Sequence, residues 1–284
     1  MSYLRRIQSC NHYDLERFQG FYIDGQRVGW IRKDALNHIE RHPETFTRQE
    51  DGIHLHRQLS GFRERSDALA TVLIDLVRQG VLAKIRNEPY PVTAGPRGQA
   101  VCLVDRAAAG FFGIRAFGQH LNGYCRTADG IEMWLGRRAK DRGLYPGRLD
   151  QLVAGGLPHG ISLRDNLRKE CQEEAGIAQT LADQARPVGT VSYLTESPRG
   201  LKPDVLYCYD LELAADFQPV CTDGEVDEFL RLPLQEVARI VCETEEFKPN
   251  CNLVVIDFLI RHGALEPEHP DYQELVSGLH VSLP

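Results

Sequence analysis

The chain has no close pair of cysteines, no surplus of basic charge, no long uninterrupted apolar run and no repeat or low-complexity segment. Each absence excludes something. The eight cysteines are widely spaced, and none forms the close pair of a zinc knuckle or a redox motif. Most lie in apolar stretches, which implies reduced, buried thiols in a cytosolic, cytoplasmic protein. Lys and Arg together number 33 against 40 Asp and Glu, a net charge of −7. That balance argues against nonspecific nucleic-acid binding, which needs a basic face against phosphates, although a local basic face is compatible with it. The opening MSYLRRIQSCNHYD lacks the apolar core of a signal peptide, and Asp257 interrupts the longest late apolar stretch, LVVIDFLI. Neither secretion nor a membrane span is expected.

What is present divides into an early α+β unit and a strand-rich remainder. FYIDGQRVGWI places two apolar runs around Asp24-Gly25, a hairpin signal, and a second hairpin is expected around Asp51-Gly52. Residues 33–42 read as a helix ended by Pro43, and Ser66 as the N-cap of a helix striped by Leu69, Val72, Leu73, Leu76 and Val77. The segment 87–98 is rich in turn formers and reads as a domain edge, while 107–118 fits either a short buried helix or a connection. From Gln119 the pattern becomes strand-rich: a hairpin about Asp129-Gly130, a strand LDQLVA into Gly155-Gly156, later strands over 188–194, 205–213 and 228–232, and helices over 234–241 and 252–262. The tail from Ala264 is polar and poorly periodic.

The segment GGLPHGISLRDNLRKECQEEAGI, residues 155–177, carries the chemistry. Ser162 is a natural N-cap, and Leu163, Leu167, Cys171 and Ala175 give the helix a face to bury. Glu170, Glu173 and Glu174 lie at i, i+3 and i+4, off that face, where like charges repel, so a cation between them is implied. Hard oxygen ligands suit Mg²⁺ or Mn²⁺. Gly155 and Gly156 let backbone approach the site unobstructed. Such a site suits cleavage of a diphosphate, because a bound divalent ion neutralises phosphoryl charge and acidifies water. The cluster Arg137, Arg138, Lys140 and Arg142 fits substrate phosphates or a solvated basic turn. His38 and His42 read as surface histidines, His54 and His56 as lacking partners for a metal set, and Tyr124 and Trp134 as core or the wall of a ring pocket.

This segment resembles the Nudix box. Glu170, Cys171 at the apolar position, Glu173, Glu174, Gly176 and Ile177 match the signature when it is aligned from Gly155. Two positions depart: Ile161 stands where a glutamate belongs, and Lys169 replaces an arginine, two side chains that in the family support the loop and helix. Asp165, four residues before Lys169, is placed for a replacement ion pair. HLNGY, PGRLDQLVAGG, KECQEEAGI, DGEV and FKPNCNLVVIDFLIRHG together resemble a Nudix branch with an extra N-terminal domain, labelled thiamine pyrophosphokinase-related, whose members act on thiamine diphosphate and damaged analogues. A kinase is not implied, since no GK[ST] phosphate loop occurs.

The resemblance implies an α+β protein: a small α+β domain over 1–116, a Nudix α/β/α sandwich with a mixed sheet over 117–263, and a tail over 264–284. It implies a hydrolase of small-molecule diphosphates in which Glu170, Glu173 and Glu174 hold metal and Glu174 or Glu225 activates water, Glu225 being otherwise an ordinary turn acid. Gly155, Gly156, Arg137 and Arg138 are the candidate substrate contacts. A noncatalytic diphosphate-binding module and an isomerase on the same fold are the rivals. The N-terminal unit is open to three roles: covering the site, binding the organic half of the substrate, or forming a homodimer contact.

Overall fold

The computed structural model describes residues 2–284. It opens with α1 (Tyr3–Cys10), whose N-cap Ser2 accepts a hydrogen bond from Arg5 N–H. Strands β1 (Phe18–Ile23) and β2 (Gln26–Arg32) flank a turn in which Asp24 and Gly25 take φ of 51° and 75°. Two consecutive positive values are what a tight type I′ hairpin demands. After α2 (Leu36–Ile39), β3 (Phe46–Arg48) and β4 (Gly52–Leu55) comes α3 (Phe62–Arg78), then a separate hairpin of β5 (Pro89–Val92) and β6 (Cys102–Asp105). The first four strands make one sheet in the order β2-β1-β4-β3, with β1 and β4 parallel.

Several expectations for this unit shift. The helix over 33–42 shrinks to a 3₁₀ turn and the single turn of α2. His38 and His42 are not free surface groups: His38 Nδ1 lies 2.6 Å from Gln79 Oε1, and the buried His42 places Nε2 3.1 Å from Asp75 Oδ2, bracing that turn against α3. Helix α3 starts before Ser66, where Gly61 N–H donates to Glu64 Oε2 at 3.1 Å. Ser66 instead accepts from Leu103 N–H at 2.9 Å and ties the helix to β6. The turn-rich segment 87–98 contains β5, whose Tyr90 and Val92 join the first core, and 107–118 is a connection with Phe111, Phe112 and Ile114 buried in it.

The second unit is built on β7 (Ala116–Thr127) and β8 (Gly130–Arg138), the expected hairpin. The single strand expected at LDQLVA is two, β9 (Leu149–Gln151) on β8 and β10 (Val153–Gly156) on β7, because the chain changes partner at the buried Leu152. Then come α4 (Leu163–Ala175), α5 (Gln179–Ala182), β11 (Arg186–Ser197), β12 (Gly200–Glu212), β13 (Val226–Pro233), α6 (Leu234–Glu243), α7 (Pro249–Arg261) and α8 (Tyr272–Gly278). The sheet runs β11-β12-β7-β8-β13, with β7 and β12 parallel and the other pairings antiparallel. This is the expected α+β fold with a mixed sheet between helical layers.

One face of the sheet packs under α4 through Leu121, Trp134, Leu167 and Cys171. The other packs under α7, which buries Leu253, Val254, Val255, Ile256, Phe258 and Leu259. At about 1.5–3 kcal/mol for each fully buried large apolar side chain, α7 is the main anchor of that layer. Tyr124 and Trp134 are buried core residues. The tail is more than polar connection: Leu265, Leu275 and Leu279 enter the same core, and so do Ile7 and Cys10 of α1. Three leucines so widely spaced give no periodicity to read, and their burial depends on α1 arriving from the far end of the sequence.

Candidate active site

Helix α4 is fixed at both ends. Ser162 Oγ accepts from Asp165 N–H at 3.0 Å, and Gly176 closes the helix in the left-handed conformation, φ 64°. Between them Asn166 Nδ2 donates to the Gly156 carbonyl at 3.0 Å and to Gln119 Oε1 at 2.7 Å, and Gln119 Nε2 donates to the Leu163 carbonyl at 2.8 Å. These bonds lock the helix onto β7 and β10. A Cβ at Gly155 would meet the Glu170 carboxylate, and one at Gly156 the Tyr90 hydroxyl, so a larger residue at either position would have to displace one of these groups.

The three glutamates differ. Glu174 is buried against the sheet, contrary to the expectation that all three lie off the packed face, and accepts from Ala154 N–H at 2.7 Å. Burial, with the charges of Glu170, Asp150 and Glu225, outweighs that bond and pushes its pKa up to about 8. Glu170 is mostly enclosed, and burial raises its pKa too, against the lowering effect of Lys169. Glu173 is half exposed. Lys169 does not pair with Asp165 as expected: its ammonium bridges Glu170 at 3.2 Å and Glu173 at 3.0 Å. Asp165 turns to Ser162 and Arg168. The Lys169 ammonium therefore stands among these acids, and their all-oxygen donor set fits a hard divalent metal.

Glu225 reaches this cleft because Thr222 N–H donates to the Glu173 carbonyl at 2.8 Å and Val220 N–H to that of Ala175 at 3.1 Å, pinning the segment to the end of α4. Glu225 lines the cleft with Glu174, Asp150 and Arg138, and pairs with Arg142 at 2.7 Å. Of the basic pair, only Arg138 faces the site. Successive strand residues alternate, so Arg137 points to the opposite face, where Glu228 and Glu246 hold it at 3.2 and 3.1 Å.

Sequence reasoning missed two groups. The first surrounds Asp150, a buried acid that Arg138 meets at 2.9 Å, Lys248 at 3.0 Å and the Cys251 thiol at 2.7 Å. Despite burial, these cations hold its pKa down at about 2. His120, Asp150 and Cys251 bring ligand atoms within 4.8 Å of one another. Two resident cations already satisfy the acid, and burial drives the Cys251 thiol well above its ordinary value and so away from the thiolate a metal would need, so this set reads as an anchor rather than a metal centre. A charged residue inside the apolar LDQLVA was the available signal.

The second group comes from the N-terminal unit. Tyr90 and Arg106 stand beside Gly156, and Arg106 pairs with Glu88 at 2.8 Å. Arg97 reaches the loop before α4. All three lie in or next to segments read as a domain edge (87–98) or as a short buried helix or a connection (107–118), and no sequence signal placed them at the site.

Comparisons with known proteins agree with this architecture. A model described as a domain of unknown function (DUF4743) matches residues 2–116, and one described as NUDIX domain matches residues 123–251. Nudix hydrolase 24, chloroplastic, of Arabidopsis thaliana is 44% identical over 281 residues, which is 98% of this chain and 77% of the relative. Nudix hydrolase 20, chloroplastic, of the same plant is 42% identical over 288 residues, with 98% and 77% covered. An uncharacterized protein of Saccharomyces cerevisiae is 34% identical over 284 residues, covering 92% of this chain and 82% of that one. The chloroplastic designation of both plant relatives overturns the cytoplasmic expectation, because buried thiols such as Cys10, Cys102 and Cys171 report a reducing environment and not which compartment provides it. Among the described residues no helix is long and apolar enough to cross a membrane.

Proposed function

The chain belongs to the Nudix hydrolase family, and from that premise we propose that it cleaves a phosphoanhydride bond in a small organic diphosphate of the thiamine diphosphate or nucleoside diphosphate type. Nudix hydrolases generally use a divalent metal. In this reading Glu170, Glu173 and Glu174 would hold Mg²⁺ or Mn²⁺, at the acids that the Lys169 ammonium bridges. The ion supplies Lewis acidity toward the phosphoryl oxygens and a more acidic water.

The protein's own groups do the rest. Glu174 is engaged by Ala154 N–H, whereas Glu225 is a third exposed at the mouth of the cleft, which favours Glu225 as acceptor of the proton from the attacking water. Arg138 inside the cleft and Arg106 beside Gly156 supply positive charge on two sides for a diphosphate. Gly155 and Gly156 keep the wall between them bare. Support for the thiamine diphosphate type comes from the stretches shared with that branch, from HLNGY to FKPNCNLVVIDFLIRHG.

One observation carries the hydrolase reading: α4 gathers three carboxylates on one turn beside β10, with Glu170 packed on the bare Gly155 and Glu174 accepting from Ala154 N–H. The test is release of phosphate or monophosphate from thiamine diphosphate, its oxidised analogues, ADP and other diphosphates, with Mg²⁺ or Mn²⁺. Glu225→Gln is expected to lower kcat roughly 10²–10⁴-fold as loss of the base, and Glu174→Gln to lower kcat and raise the Mg²⁺ requirement as loss of a metal-holding carboxylate. Full activity in the Glu174→Gln variant would falsify the site assignment, and no turnover of any diphosphate would remove the substrate class.

A further inference from the structure

The box lacks its usual glutamate and arginine, yet the loop between β10 and α4 is not left unsupported. Its path decides where Gly155 and Gly156 meet Glu170, and its carbonyls have no sheet partners of their own. We infer that Arg97 of the N-terminal unit is the positioning residue that holds this loop, doing from outside the box what the missing pair does within it. The inference rests on the hydrolase reading only for its effect on rate.

The geometry is direct. Arg97 Nη2 donates to the carbonyl of Pro158 and, at 2.7 Å, to that of Ile161, the position where the box glutamate is absent. A planar, permanently charged guanidinium is suited to gripping two carbonyls at once. Arg97 is itself held by a built turn: Gly95 N–H donates to Thr93 Oγ1 at 3.0 Å, Gln99 N–H to the Pro96 carbonyl at 2.9 Å, and Arg115 Nη1 to the Gly95 carbonyl at 3.1 Å. A further bond joins the same two segments, from His159 N–H to the Pro89 carbonyl at 2.7 Å, and Phe62 of α3 lies against the His159 ring. Inside the box, Lys169 is committed to Glu170 and Glu173, and Asp165 to Ser162 and Arg168. The N-terminal unit is thus part of the frame of the active site, which gives it a role besides covering the substrate or forming a dimer.

The test uses the full chain. Amide hydrogen exchange in the metal-free protein reads the loop directly, and kcat, KM and the Mg²⁺ half-saturation point read its consequence. Arg97→Ala is expected to speed exchange at residues 157–162 at least tenfold while α3 and β5 stay protected, to lower kcat tenfold or more and raise the Mg²⁺ requirement, with KM changing less. Arg97→Lys, which keeps charge without the fork, should fall between. Adding Ile161→Glu with Lys169→Arg to Arg97→Ala should restore loop protection and most of kcat. Unchanged exchange at 157–162 overturns the inference. So does acceleration spread equally over α3 and β5 in both Arg97 variants, since that marks a general brace of the fold, and so does failure of the restored pair to recover the loop. If no diphosphate is hydrolysed by the parent protein, the substrate reading falls while the exchange arm still decides the role of Arg97.

Discussion

Glu174 and Asp150 line the same small cleft, both are buried, and their surroundings shift their pKa values in opposite directions. Asp150 has Arg138 and Lys248 against it and is held ionised far below the ordinary range. Glu174 has one backbone N–H and three acidic neighbours, and is pushed far above it. A buried acid with resident cations is an anchor, because its charge is already answered. A buried acid without them is a costly arrangement that a folded protein retains when something arriving later answers the charge. The contrast separates structural from functional carboxylates within one cleft, and it turns on neighbours rather than on burial.

The largest expected effect that would break this comparison is on the anchor. Asp150→Asn strands Lys248 and Arg138 beside a neutral amide and should cost about 3–5 kcal/mol in urea unfolding. Because the pKa of Asp150 is depressed on folding, its contribution is fully present above its unfolded value near ~3.9 and is lost as pH falls through about 2, so the deficit of the variant should narrow over that window. Next, Mg²⁺ or Mn²⁺ at 100 times its Kd should stabilise the parent by about 2.7 kcal/mol, seen as a rise in Tm. Glu170→Gln should abolish most of that rise. Glu174→Gln in the metal-free protein should leave stability unchanged or raise it by up to about 1 kcal/mol, since it removes a charge that burial opposes. A loss comparable to that of Asp150→Asn would erase the distinction between the two acids. Smallest of all, Arg137→Ala should cost only about 0.2–1 kcal/mol, as half-exposed ion pairs do, with kcat unaltered.

The glutamate helix was legible because its signals are local: a serine cap, a four-residue apolar repeat and a closing glycine all lie within residues 162–176. The Asp24-Gly25 hairpin was legible for the same reason. Sequence spacing placed Glu170, Glu173 and Glu174 together, but it could not show that Glu174 turns inward to Ala154. Nor could it show where Lys169 would go, since Asp165 and Glu173 are both four residues away and the choice depends on what Ser162 and Arg168 take first. Arg97, Tyr90 and Arg106 were invisible because their partners lie tens of residues along the chain, beyond any periodicity. Asp150 escaped for a related reason: its partners come from β8 and from residues at the start of α7.

The placement of α1 has a consequence for the order of events during synthesis. Asn11 donates through Nδ2 to the Gly278 carbonyl across 267 residues, and Ile7 and Cys10 complete a core finished by Leu275 and Leu279. A ribosome delivers α1 well before α8, so the apolar side of α1 must wait, unsatisfied, while the residues between them are made. Contacts this distant raise the contact order and slow closure. The layer that carries α7 can therefore seal only once α8 has been made, and until then the nascent protein presents a sticky helix that a chaperone would have reason to hold.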